Sequence, residues 1–300
     1  MNQRSGGLAY LYVGPAVTLV VILSLLPNLY SVYLAFTNFS LYHYSDFRFV
    51  GLRNFLYILG SEELREFGRV LLWTVVWAGA SVLLSLAAGL FLAIPLNNPE
   101  IRFRSLYRTL FIVPWAIPAF ISVMMWQGLL NSDQGAINVM LMQMGLSKVP
   151  WLNDPTWARV AVLTVNVWLG FPFMLTVCLG ALQSIPREMY ESASVDGATA
   201  PRQFFQITLP MLRSALLPVL ISSFAFNFNQ FTAIYLLTGG GPAVRGSEAG
   251  ATDILITYSY KLAFGLFQYG VACAYAIFIF AIVASLSAVN FRLTGAFEDA

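Results

Sequence analysis

The stretch Pro186–Pro210, PREMYESASVDGATAPRQFFQITLP, decides how the whole chain is read. It is polar, it lies between two long apolar segments, and its residues spell two short helices. Pro186 suits a first helical position, where a missing N–H costs nothing, and Glu188 and Glu191 favour the positive end of that helix. Gly197 is placed to end it in the left-handed conformation. Pro201 can open a second short helix, of which Pro210 marks the limit. Ser192, Ala193, Ser194 and Ala198 are small, so another protein can come close to this backbone.

The apolar surroundings set the medium. The chain is 58% hydrophobic and 10% charged, whereas charged residues make up about 25% of an ordinary soluble domain. Crossing a bilayer takes about 20 mostly apolar residues. Six stretches suffice, roughly 8–36, 70–96, 109–130, 159–182, 214–238 and 270–291. None carries Lys, Arg, Asp or Glu in its interior, where a charge is costly. Residues 1–300 therefore read as one all-α membrane domain. The first run, interrupted by Pro15 and Pro27, is too long for a signal peptide and reads as a retained membrane helix.

The segments between the spans are polar. Basic residues divide evenly, eight to each side, so the positive-inside rule only leans toward an internal N-terminus, through the shorter inner segments. Arg102, Arg104 and Arg108 follow the Asn97-Asn98-Pro99 break and can meet lipid headgroups. Segment 37–69 is expected to form a short external helix. In segment 131–158, Ile137, Met140, Leu141 and Met144 share a face, which predicts a helix along the external membrane surface. Thr238-Gly239-Gly240-Gly241-Pro242 reads as a flexible external turn. Cys178 and Cys273 lie within spans and act as small hydrophobes. His43 is the only histidine, which excludes a multi-His metal site, and no basic stripe points to nucleic acid.

Two spans carry uncharged polar groups. The fourth reads Asn166-Val167-Trp168-Leu169-Gly170-Phe171-Pro172-Phe173, with Pro172 expected to kink it. In the fifth, Ser223, Asn227 and Gln230 stand at i, i+4 and i+7 and share a face. Amides donate and accept hydrogen bonds, as sugar hydroxyls require, and Trp115, Trp168 and Phe226 offer aromatic faces. The same residues can equally tie one membrane helix to another. Asn229 points off the shared face and is assigned to packing.

Glu191-Ser192-Ala193, three residues, Gly197, nine residues, then Ile207-Thr208-Leu209-Pro210 resembles the EAA loop of ATP-binding-cassette importer permeases. Ser192 stands where the pattern has a second Ala. The resemblance implies a six-helix type I importer permease of the bacterial inner membrane with both termini cytoplasmic. In it, Glu191, Ser192, Ala193, Gly197, Ile207, Leu209 and Pro210 form the cytoplasmic coupling loop that docks on an ATPase subunit.

The runs Asn166–Phe173, Ser222–Phe231 and Gly239–Pro242 resemble more closely the larger membrane subunit of maltose/maltodextrin importers. This similarity covers nearly the whole chain from the second span onward, without the large external domain that some members insert. It implies a sugar site lined by Asn166, Trp168, Leu169, Gly170, Ser223, Asn227 and Gln230, the last replacing an Asn. Trp115 and Ala119 replace a Tyr and a Ser in the third span. The implied partners are a second related permease, two ATPase subunits, an external sugar-binding protein and membrane lipid.

No cofactor is expected in this chain. Its only lysines, Lys148 and Lys261, follow Ser147 and Tyr260 and make no Gly-Lys-Ser/Thr phosphate loop; ATP and Mg belong to the partner ATPases. The expected function is import of a neutral oligosaccharide of the maltose/maltodextrin type, with trehalose or another oligosaccharide as the alternative. An ion-coupled carrier fits less well, because such carriers place ionisable groups within their spans. An intramembrane enzyme lacks a candidate base.

Overall fold

The structure, a computed structural model, describes residues 5–294, and these are helical apart from loops and one isolated antiparallel bridge between Thr37 and Phe49. Met1–Arg4, including the basic Arg4, lie outside the described residues. In chain order the helices are α1 (Ser5–Val20), α2 (Leu26–Ala35), α3 (Arg53–Ile58), α4 (Ser61–Asn97), α5 (Arg104–Ala116), α6 (Ala119–Leu129) and α7 (Ala136–Gln143). Then follow α8 (Pro155–Gln183), α9 (Arg187–Val195), α10 (Ala200–Gln203), α11 (Leu209–Phe228), α12 (Phe231–Thr238), α13 (Leu255–Phe264) and α14 (Tyr269–Thr294). Among the described residues five helices are long and apolar enough to cross a membrane, and the bent pair α5–α6 supplies a sixth span.

Two prolines expected to interrupt helices do not. A π-turn at Val21–Leu25 joins α1 to α2 just before Pro27, and another at Phe204–Thr208 joins α10 to α11 just before Pro210. A proline ring clashes with the carbonyl four residues back in an uninterrupted α-helix. A turn wound one residue wider gives the ring room, so both helices continue. Pro210 consequently sits inside one long helix, Ala200–Phe228, and is not the limit of a short one. α8 likewise runs unbroken through Pro172.

Elsewhere the expected spans do break. The third bends by 91° between α5 and α6. Ile117, which precedes Pro118, is extended at φ −84° and ψ 131°, as the residue before a proline prefers. The fifth stops at Phe228, and α12 restarts at Phe231 after Asn229 and Gln230. The acidic Glu62 and Glu63 are not in a separate external helix; they fill the first turn of α4, at its positive end. The short helix of that segment is α3. At 37 residues α4 is about 55 Å long, well beyond the hydrocarbon thickness.

The chain divides into two compact units, one of Met1–Arg65 with Ser259–Phe280, the other of Glu66–Tyr258 with Ala281–Ala300. In the first, the buried Asn54 amide donates to Ala35 O at 2.8 Å and Thr37 O at 2.7 Å, stitching α3 to the end of α2. Gly270 N donates to Phe39 O at 2.9 Å, and Phe39 packs on Tyr269 at the start of α14.

In the second unit, α4 and α8 meet backbone to backbone. A Cβ on Gly89 would lie 2.6 Å from Leu175 N and 2.7 Å from the Met174 carbonyl carbon. Next to this contact a buried apolar cluster joins Ala93 and Leu96 of α4, Leu175, Cys178 and Leu182 of α8, and Leu212 and Leu216 of α11. The segment after α12 is pinned and not a free turn. Thr252 N donates to Gly240 O, Arg69 to Ala249 O, Arg159 to Ala251 O and Trp73 to Thr252 O. Ser247 bonds both Glu66 and Arg69.

Gly89→Ala should destabilise the chain by about 1–3 kcal/mol, the usual cost of overpacking. Gly180, on α8 with nothing within 4 Å of its missing Cβ, is the control. Gly180→Ala should be neutral or gain up to about 1 kcal/mol of helix propensity. Thermal unfolding of the two variants in detergent checks the contrast.

Candidate functional site

The breaks and the close helix contact leave a cavity of about 740 Å³ within the second unit. Four parts of the chain line it. The α5–α6 bend contributes Pro114 to Ala119; α8 contributes Asn166, Leu169, Gly170, Phe173 and Met174; α11 and the residue before α12 contribute Ser222, Ser223, Phe226, Asn227 and Gln230. Val82 and Ser85 of α4 close the remaining side. No lining residue is charged. The volume and the mixture of aromatic surface with a few polar groups suit a small organic ligand.

Irregular backbone at this depth is tolerated where it lines a cavity. That explains why the bend at Ile117–Pro118 and the stop at Phe228 both fall on the wall. The stop exposes carbonyls that a continuing helix would have bonded. Asn227 O accepts from Gln230 N at 3.1 Å and also from Trp77 Nε1 at 3.0 Å.

The structure brings together most of the residues singled out from the sequence. Asn166, Leu169, Gly170, Ser223, Asn227, Gln230 and Trp115 all line the cavity, as does Ala119. Trp168 does not. It stands edge-on to Trp126, at 5.9 Å between ring centroids, and beside Phe171. Asn229, expected to pack, is exposed at the end of α11. The two asparagines bond each other: Asn166 Nδ2 donates to Asn227 Oδ1 at 2.7 Å, and Asn227 Nδ2 donates to Ser223 O at 2.8 Å. The pair ties α8 to α11 and also faces the cavity. Trp115 and Phe173 stand 6.2 Å apart as adjacent aromatic surfaces.

Sequence reasoning missed the bend and the α4 wall. Pro114 and Pro118, four residues apart in one apolar run, were a readable signal for the first. The spacing of Ser81, Ser85 and Gly89, four residues apart on α4, marks the face that meets α8.

The polar hairpin is held firmly. α9 ends with Ala198 N donating to Ala193 O at 2.9 Å and with Gly197 at φ +75°, a left-handed helix stop. Tyr190 and Thr208 bond through their hydroxyls at 2.9 Å, and Gln203 Nε2 donates to Ser194 Oγ at 2.9 Å. Tyr190 and Ile207 also pack on the apolar cluster of α4, α8 and α11. Glu191, Ser192, Gly197, Leu209 and Pro210 are exposed, and Ala193 is half-buried. Glu191 pairs with Arg187 at 3.3 Å, an exposed pair worth little to stability. The hairpin therefore presents a shaped outer face on a rigid base, and the helix Ala200–Phe228 runs from it to the cavity.

Such an arrangement defines a membrane transport component. The chain belongs to the family described as binding-protein-dependent transport system inner membrane component, which it matches over residues 85–298. It is 41% identical over 300 residues to the galactooligosaccharides transport system permease protein GanP of Bacillus subtilis, covering 98% of this chain and 72% of that one. The maltodextrin transport system permease protein MalC of Streptococcus pneumoniae is 39% identical over 97% of this chain and 70% of its own length. The maltose/maltodextrin permease MalF of Salmonella typhimurium is 41% identical over 82% of this chain and 49% of its own length. A bacterial ABC transporter that imports the acidic polysaccharide alginate shares the fold, with a TM-score of 0.74 at 25% identity over 96% of each chain. The protein is accordingly a multi-span permease subunit of an ATP-binding-cassette importer, not an enzyme.

A double-mutant cycle between Asn166→Ala and Asn227→Ala should return a coupling of about 0.6 kcal/mol, and at most about 1.7, the average and upper bound for hydrogen bonds between membrane helices. Unfolding of the four proteins in mixed micelles measures it.

Proposed function

We propose that this permease carries a neutral oligosaccharide of the maltodextrin type through the cavity between α4, α5–α6, α8 and α11. The observation that carries the reading is the cavity wall, which offers amides, hydroxyls and aromatic faces but no charged side chain. Uronate or phosphate recognition ordinarily recruits Arg or Lys. Asn166, Asn227 and Gln230 supply donors and acceptors to sugar hydroxyls, Ser223 adds a hydroxyl, and Leu169 and Gly170 shape the wall. Trp115 gives an apolar ring face to stack on. The names of the relatives favour the same class, and the match to a galactooligosaccharide permease supports a galactose-containing substrate as the second reading.

In this mechanism residues 1–300 act as one permease domain of the inner membrane, beside a second related permease. Both termini and the hairpin 186–210 face the cytoplasm. An external binding protein delivers the sugar. Two partner ATPases bind ATP and Mg, and their closure pushes on the hairpin face formed by Glu191, Ser192, Ala193 and Gly197. Ile207, Leu209 and Pro210 pass the displacement into the helix that carries Ser223 and Asn227. The cavity then opens to each side in turn.

Gly197→Val would force a β-branched residue into the left-handed region, at about 1–2 kcal/mol. The variant should insert normally in the membrane yet lose sugar-stimulated ATP hydrolysis in the reconstituted complex; full stimulation would remove the coupling role. Asn227→Leu should lower uptake at least severalfold with the complex still assembled. A panel of maltotriose, trehalose, a galactosyl trisaccharide and an alginate trisaccharide, each with its own binding protein, tests the substrate class. ATPase stimulation by the neutral sugars and not by alginate is the expected result.

A further inference from the structure

Hydroxyls within the membrane helices of this chain commonly fold back onto their own helix. Thr74, Thr164, Thr176 and Ser222 each donate to the carbonyl four residues earlier, at 2.7–2.9 Å. This return bond is the default for Ser and Thr where water is absent. Ser85 departs from it. It is 4% exposed on the inner face of α4 and lines the cavity, and among the described residues its hydroxyl has no hydrogen-bond partner.

Its Oγ is not sealed in the protein but borders the cavity, so it is free to bond a polar group that enters there. On the protein side the hydroxyl faces Gly170, where a Cβ would stand 2.9 Å from its Oγ and 3.5 Å from its Cβ. The bare glycine thus keeps space open around an Oγ that a side chain at 170 would press upon. Asn166 lies on the same wall, one helical turn before Gly170.

We propose that Ser85 is a specificity-determining residue whose hydroxyl bonds directly to one hydroxyl of the transported sugar, with Gly170 holding the space for it. The assignment rests on the substrate reading above and deepens it. Ser85 both donates and accepts, and it brings a third helix, α4, to the wall that carries the asparagine pair of α8 and α11. Neither the shared polar face of the fifth span nor the fourth-span motif contains it.

The test uses the complete importer in proteoliposomes, with maltotriose and its monodeoxy analogues as probes. Ser85→Ala should raise the maltotriose concentration for half-maximal uptake about two- to tenfold, the worth of one hydrogen bond, with the maximal rate little changed. One deoxy analogue should suffer that same loss with the unaltered protein and none beyond the parent sugar with Ser85→Ala. Ser85→Cys, whose thiol is a much weaker hydrogen-bonding group, should lose the same deoxy-sugar discrimination as Ser85→Ala. Gly170→Ala should reproduce the loss alone and add nothing on top of Ser85→Ala. Identical deoxy-sugar profiles in the Ser85 variants and the unaltered protein would overturn the assignment while leaving the permease reading intact. Failure of the unaltered importer to carry any neutral sugar would overturn both.

Discussion

Everything in the larger unit depends on how close α4 and α8 can come. Hydrocarbon provides no hydrophobic drive between membrane helices, so packing and hydrogen bonds must hold them. Gly89 lets the α8 backbone at Met174–Leu175 rest on α4 with no side chain between. This contact sets the height and rotation of α8. It brings Gly170 opposite Ser85, and it adjoins the apolar cluster shared by α4, α8 and α11.

The cavity is the place where this economy of polar groups is relaxed. A helix that crosses a bilayer unbroken satisfies its own backbone. Two of the spans break, at Ile117–Pro118 and after Phe228, and both breaks lie on the cavity wall. Backbone groups there find partners, as Asn227 O does in Gln230 N and Trp77. Side-chain amides are likewise half spent on each other and half turned to the interior. The same groups therefore hold the bundle together and offer a polar lining. Tying helices together and lining the cavity thus fall to the same residues, which a sequence read one residue at a time does not separate.

One helix connects this lining to the outer surface of the hairpin. Ala200–Phe228 spans 29 residues, about 43 Å, and the π-turn before Pro210 keeps it continuous where a proline would otherwise break it. Tyr190, Thr208, Gln203 and Ser194 lock the hairpin to the base of that helix. Ile207 and Tyr190 seat it on the apolar cluster. A push on α9 is thus carried by stiff, packed elements and not absorbed by a loose loop, as the proposed coupling requires.

What the sequence determined by itself follows from local chemistry. Apolar length located the spans, Gly197 marked a left-handed helix end, and the spacing from Glu191 to Pro210 identified the hairpin. The repeat of Ser223 and Asn227 picked out one wall of the cavity, because helical periodicity is a property of the chain alone; Gln230 reaches the same wall from beyond the helix end. Tertiary structure decided the rest. Whether a proline ends a helix, as at the Ile117–Pro118 bend, or lies within a continuous one, as Pro172 and Pro210 do, depends on turns and neighbours that no local window contains. Trp168 left the cavity for Trp126, and Ser85 entered it, because the side of α8 or α4 that faces inward is chosen by the partner helix. Periodicity names the faces of a helix, and only packing says what each face meets.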